Sequence, residues 1–147
     1  MKTKIITIAD SYKDFQSVIK HYEKMLWKSV KIIKIKPTKW WETQKIIKED
    51  TDKIIKTLQK DKNYKILLSK EWENIDTESL TKLAKDNLNL TFIIGWPYGL
   101  DERKLDNYIN KKISFWKITM SHLVVLTVLL EQIFRVKTII EWRKYHY

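Results

Sequence analysis

The sequence predicts an α/β protein, a single domain built on a mostly parallel β-sheet with helices on both faces. Three observations point there. Apolar segments of strand character alternate along the whole chain with segments whose apolar residues recur every three or four positions, the pattern of a parallel sheet covered on both sides. The 147 residues fall within the roughly 100–200 that one domain usually occupies. The only two glycines, Gly95 and Gly99, close an apolar run, Thr91-Phe92-Ile93-Ile94. Such a run reads as a buried strand ending in a turn, and in an open parallel sheet ligands sit beyond the carboxyl ends of the strands. Taken alone, this stretch reads equally well as a tight turn whose second glycine opens a helix.

In order, residues 4–9 form a first strand, and Asp10 and Ser11 are residue types that cap a helix. Tyr12, Phe15, Val18, Ile19, Tyr22, Met25 and Leu26 then mark one apolar helical face. Residues 30–36 alternate as a second strand, which Pro37 ends because proline cannot donate to a ladder. Trp40 and Trp41 fall in the loop after it. Ile46, Ile47, Ile54, Ile55 and Leu58 place a second helix over about residues 43–60, its charged residues a solvated face. Residues 64–69 read as a third strand, and Asp76-Thr77-Glu78 as the cap of a helix carrying Leu80, Leu83, Ala84 and Leu88. Residues 90–94 are the fourth strand. After Gly99 a short helix carries Leu105, Tyr108 and Ile109, residues 113–120 read as a fifth strand, and a long last helix runs from 122 to about 142.

That last helix is apolar from Leu123 to Leu130 apart from Thr127, so it must be buried all round. The uncharged run is well short of the about 20 residues of a membrane span, and Glu131, Arg135 and Lys137 interrupt its continuation. Glu131 and Arg135 are spaced to pair along the helix. Apolar surface beyond what one small domain hides makes the helix a candidate homodimer interface.

Composition narrows the function. The chain is 44% hydrophobic and 12% aromatic, with seven tryptophans, enough for a substantial core. Cysteine is absent, which excludes disulfides and thiolate metal sites; neither a His/Asp/Glu cluster of ligand spacing nor a glycine-rich phosphate loop occurs, so no metal is expected. Nothing at the N-terminus resembles a signal peptide, and a cytoplasmic protein is expected. The net charge is +11 and the pI about 9.6, the footprint of a protein that meets a polyanion. The lysines are scattered through every segment instead of forming one basic amphipathic helix, which favours nucleic acid over a membrane surface.

The motifs Ile94-Gly95-Trp96-Pro97-Tyr98-Gly99-Leu100, Ser114-Phe115-Trp116-Lys117-Ile118-Thr119-Met120-Ser121-His122, Glu131-Gln132-Ile133-Phe134-Arg135 and the terminal Tyr145-His146 resemble the ribosomal RNA large-subunit methyltransferase H family of the SPOUT methyltransferases. The likeness spans the chain and is strongest from Phe92 onward. It implies a C-terminal trefoil knot over about residues 90–147, a homodimer, S-adenosylmethionine bound in the knot, and a reaction at ring nitrogen three of a pseudouridine in 23S ribosomal RNA. By position, the cofactor contacts fall on Leu68, Gly95, Phe115, Trp116, Lys117, Ile118, Thr119 and Met120. Gly95 lets backbone approach a ligand, residues 115–120 offer main-chain groups and apolar side chains, and Leu68 supplies an apolar wall; Leu68 and Phe115 also read as ordinary core.

The same resemblance makes His122, Tyr145 and His146 catalytic candidates, Tyr145 and His146 facing the substrate. Without it, His122 reads as a helix-cap residue, the tail as solvated, and His21 as structural. Either His122 or His146 is a base suited to neutral pH, and the sequence does not choose between them. Three positions depart from the family pattern: Trp96 replaces a glycine, Ser121 a proline, and Leu126 an arginine. They leave open a catalytically silent RNA-binding or ribosome-associated dimer of the same fold.

Overall fold

Successive side chains of a strand face opposite ways, and in the central strands both sets are apolar, so the sheet must be covered twice. The computed structural model describes residues 1–95, 99–115 and 117–143. Among these residues, β1 (Lys2–Ile8), β2 (Val30–Ile35), β3 (Tyr64–Leu68), β4 (Asn89–Ile94) and β5 (Lys111–Ile113) form one all-parallel sheet in the order β2-β1-β4-β3-β5. Ile5, Ile66, Phe92 and Ile113 pack with α1 (Gln16–Leu26), α3 (Thr77–Asp86) and α5 (His122–Ile140). On the other face Ile6, Ile8, Leu67 and Ile93 pack with α2 (Thr43–Leu58) and α4 (Glu102–Leu105).

The crossovers obey one rule. From β1 to β2 and from β3 to β4 the chain moves toward the β2 edge over the α1 and α3 face; from β2 to β3 and from β4 to β5 it moves the other way over the α2 and α4 face. All four therefore share a hand, as strand twist requires.

Local chemistry explains the boundaries. The Asp76 carboxylate accepts the Ser79 N–H at 2.7 Å and caps α3, as its sequence predicts. Asp101 caps α4 in the same way, accepting the Lys104 N–H at 3.2 Å. No residue of α5 is exposed, and Leu126, Leu129 and Leu130 are fully buried against α1, α3 and the sheet. Only the inner face of α5 is fully enclosed, however, since Val124, Thr127 and Val128 are half-buried. Glu131 and Arg135 pair along the helix, Nε to Oε1 at 3.0 Å, as their spacing predicts.

Three expectations need correction. The fifth strand is Lys111–Ile113, not residues 113–120. Its partner β3 runs out: the Ser69 N–H donates to the Ile113 carbonyl at 2.8 Å, after which the chain turns away, and Ser114 pairs instead with residues 73–75. With no neighbouring strand left, residue 115 and residues 117–120 are irregular. Leu88 is exposed and lies outside α3, because Asn87 is already extended (φ −131°, ψ 109°). Asp10 and Ser11 make no cap; the chain enters α1 through a 3-10 turn, Lys13–Phe15. The threading expected over about residues 90–147 passes through residues 96–98, 116 and 144–147, outside the described residues.

Candidate active site

In a parallel sheet every strand delivers its succeeding loop to the same edge. The loop after β4 leads to α4, whereas the loops after its neighbours β1 and β3 lead to α1 and α3 on the opposite face. Chains that part in this way open a crevice beyond the strand ends. Gly95 stands there, directly after β4.

The two glycines divide the roles that glycine can play. A Cβ at Gly95 would meet Leu100 Cγ at 3.2 Å and Cδ1 at 3.3 Å, so this position demands a small residue for space. Gly99 has φ +84°, with no atom of the described residues within 4 Å of its missing Cβ, and there the demand is for left-handed backbone.

Leu68 ends β3 in register with Ile113, and Leu67 pairs with Ile93. Leu68, Gly95 and the segment after β5 therefore share one edge of three adjacent strands. Leu68 and Phe115 are half-buried against the α5-side core, so the ordinary-core reading describes their packing. Lys117 donates to the Trp72 carbonyl at 3.3 Å and Lys70 to Thr119 Oγ1 at 3.5 Å, joining the irregular segment to the loop after β3. Ile118 is 68% exposed, and Met120 is half-buried. Trp116, Tyr145 and His146 lie outside the described residues.

His122 opens α5 at this same edge and is half-buried. Burial lowers its pKa, and the positive charge of Lys13 lowers it further, so near pH 7 the imidazole is neutral and able to accept a proton. Replacing Lys13 by glutamine should raise the His122 midpoint, read by proton NMR as the ring signals titrate; an unmoved midpoint would contradict this account of its electrostatics.

One cluster at this edge has no local sequence signal. The Ser69 hydroxyl donates to Glu102 Oε2 at 2.9 Å, while Lys112 lies 3.6 Å from Glu102 and 2.7 Å from Asp106, with its ammonium 5.0 Å from the Trp72 ring centroid. The Asp106 bond leads in raising the Lys112 pKa. The cluster ties the loop after β3 to α4. A cleft of about 360 Å³ lies elsewhere, lined by Lys4, Ile6, Ile33, Lys56, Thr57, Lys60 and Asp61. Burial pushes the Asp61 carboxyl up, but hydrogen bonds from Thr91, the Asn63 N–H and Lys4 outweigh it and hold it below its ordinary value. That carboxylate staples the sheet.

Residues 1–146 match the family described as "Predicted SPOUT methyltransferase". The chain belongs to the SPOUT methyltransferase family. It is 33% identical over 154 aligned residues to the ribosomal RNA large subunit methyltransferase H of Pseudothermotoga lettingae, with all of both chains covered. Proteins of the same name from Mycoplasma mycoides subsp. mycoides SC and Mycoplasmopsis synoviae are 37% and 31% identical to it, each over 99% of both chains. A SPOUT methyltransferase needs a place for its methyl donor, and the β4-β3-β5 edge is suited to one. It has a position with no side chain at Gly95, an irregular segment outside the strand ladder, and exposed apolar surface at Ile118. Among the described residues no His/Cys/Asp/Glu group could hold a metal, and no helix is long and apolar enough to cross a membrane.

Proposed function

We propose that this SPOUT methyltransferase is a cytoplasmic homodimer that uses S-adenosylmethionine to methylate ring nitrogen three of a pseudouridine in 23S ribosomal RNA. The full-length likeness to proteins named for large-subunit ribosomal RNA carries the reading. The crevice beyond β4 supports it. Leu68, Gly95 and residues 115–120 would hold the cofactor, whose sulfonium supplies an activated methyl group. The chain's own task is then to align the attacking nitrogen, exclude water and take up the proton that the nitrogen loses. His122, neutral at pH 7, is one base for that proton, and His146 is the other. Residues 90–147 would be threaded as the trefoil knot.

Calorimetry with S-adenosylmethionine tests the reading: binding is expected in the roughly micromolar to millimolar range of metabolite sites. No heat at millimolar cofactor would contradict it and favour the second reading, a silent RNA-binding or ribosome-associated dimer. That alternative rests on the departures from the family pattern at Trp96, Ser121 and Leu126, of which Leu126 is fully buried in the core.

The dimer would use the outer face of α5. Val125 packs against the core cluster, whereas Val124 and Val128 are half-buried outside it. Aspartate at both Val124 and Val128 should therefore give a folded monomer by sedimentation, while aspartate at Leu126, with 0% exposure, should unfold the chain by burying an unpaired charge. A wild-type protein that sediments as a monomer would refute the dimer.

A further inference from the structure

The loop between β2 and α2 carries two tryptophans that the crevice does not use. Trp41 is 86% exposed and Trp40 41%. Their rings stack with centroids 4.5 Å apart at 17°, and the Lys45 ammonium lies 4.5 Å from the centroid of the Trp40 ring. Leaving so large a ring in water forgoes the free energy of burying it. The loop beneath is fastened down: the Thr38 N–H donates to the fully buried Asp50 carboxylate at 2.9 Å, and Lys53 donates to the Lys36 carbonyl and to Thr38 Oγ1, both at 2.9 Å. The same stretch is basic: Lys34, Lys36, Lys39, Lys45 and Lys48 are exposed, Lys34 lying over the Tyr12 ring, and the acids of residues 34–50 are Glu42, Glu49 and the buried Asp50.

We propose that Trp40, Trp41 and these lysines form a docking platform for single-stranded RNA, an unpaired base stacking on Trp41 while Lys39 and Lys45 hold flanking phosphates. The proposal rests on the reading of this chain as an enzyme of ribosomal RNA. Pre-stacked aromatic rings within a lysine field are what a strand with exposed base faces requires; duplex RNA hides those faces. Placement agrees. β2 and β4 flank β1 on either side, so this loop leaves the sheet at the same carboxyl edge as Gly95 and roughly 10 Å across it, two strand spacings. A strand held on Trp41 lies within a few nucleotides of the crevice.

The test measures binding of a fluorescent single-stranded oligoribonucleotide of 23S sequence, and of its duplex, over a range of salt. Trp41→Ala should weaken single-strand binding about tenfold or more, with Trp41→Phe restoring most of it because a stacking face returns. The salt dependence of Trp41→Ala should match wild type, whereas Lys45→Gln should lower the slope of log K against log salt by about one. Duplex binding should not distinguish Trp41→Ala from wild type. Single-strand affinity of Trp41→Ala within about twofold of wild type would overturn the platform, as would dissociation of a dimer by that substitution, which would make the rings a contact between copies of the chain. If wild type shows no salt-dependent RNA binding, the ribosomal RNA reading falls with the platform; if wild type binds and Trp41→Ala binds equally, the platform alone falls.

Discussion

Deleting residues 145–147 is expected to leave S-adenosylmethionine binding and the dimer in place and to cut methyl transfer by about 10²–10⁴-fold, the contribution of a positioned acid–base group. The apolar stripe of α5 ends at Ile140, and beyond it Arg143 pairs with Glu141 at 2.7 Å, so the described chain finishes in surface contacts without adding to the core. Tyr145 and His146, the candidates expected to face substrate, come after that point in the chain. Single substitutions then choose the base. If His146 takes the proton, His146→Ala reproduces most of the deletion's loss; if His122 does, His122→Ala abolishes the acid limb of the rate profile, whose midpoint lies below the ordinary histidine value because burial and Lys13 lower that pKa. A fully active deletion would remove Tyr145 and His146 from the mechanism.

The second large effect is at Gly95. Leucine there should reduce cofactor affinity by more than about a hundredfold, since the side chain would project where the loops after β4 and its neighbours part. Its Cβ alone would press on Leu100, which packs against the core between the sheet and α2. Some loss of stability is expected with it, about 1–3 kcal/mol as in other overpacked sites. Gly95→Ala separates the two effects, because Leu100 is a flexible side chain able to yield a few tenths of an ångström. Alanine should cost little stability and an intermediate share of affinity, measured by denaturation and calorimetry on the same samples. Undiminished binding in Gly95→Leu would move the cofactor away from this edge.

Much of the scaffold was legible because its signals are local. Periodicity separated strands from helices, Asp76 announced α3, and the isolation of Gly95 and Gly99 marked the loop after β4. Features set by distant neighbours were not legible. β5 stops at Ile113 because β3, some 45 residues earlier, has no more backbone to offer, and nothing in residues 113–120 records that. Ser69, Trp72, Glu102, Asp106 and Lys112 become neighbours only through the strand order. Leu126 illustrates a third difficulty: compared with a family pattern it reads as a lost contact, while the fold uses it as core. At Leu88 the apolar spacing continued past the helix, and the extended backbone of Asn87 decided the outcome.

The most direct test of the central claim is methyl transfer itself. Wild-type protein, S-adenosylmethionine labelled in its methyl group and large ribosomal subunits lacking the modification should give label in 23S ribosomal RNA that digestion recovers in a single nucleoside, pseudouridine methylated at ring nitrogen three. Label absent from the RNA under conditions where calorimetry shows cofactor bound, or recovered in a different nucleoside, would contradict the account.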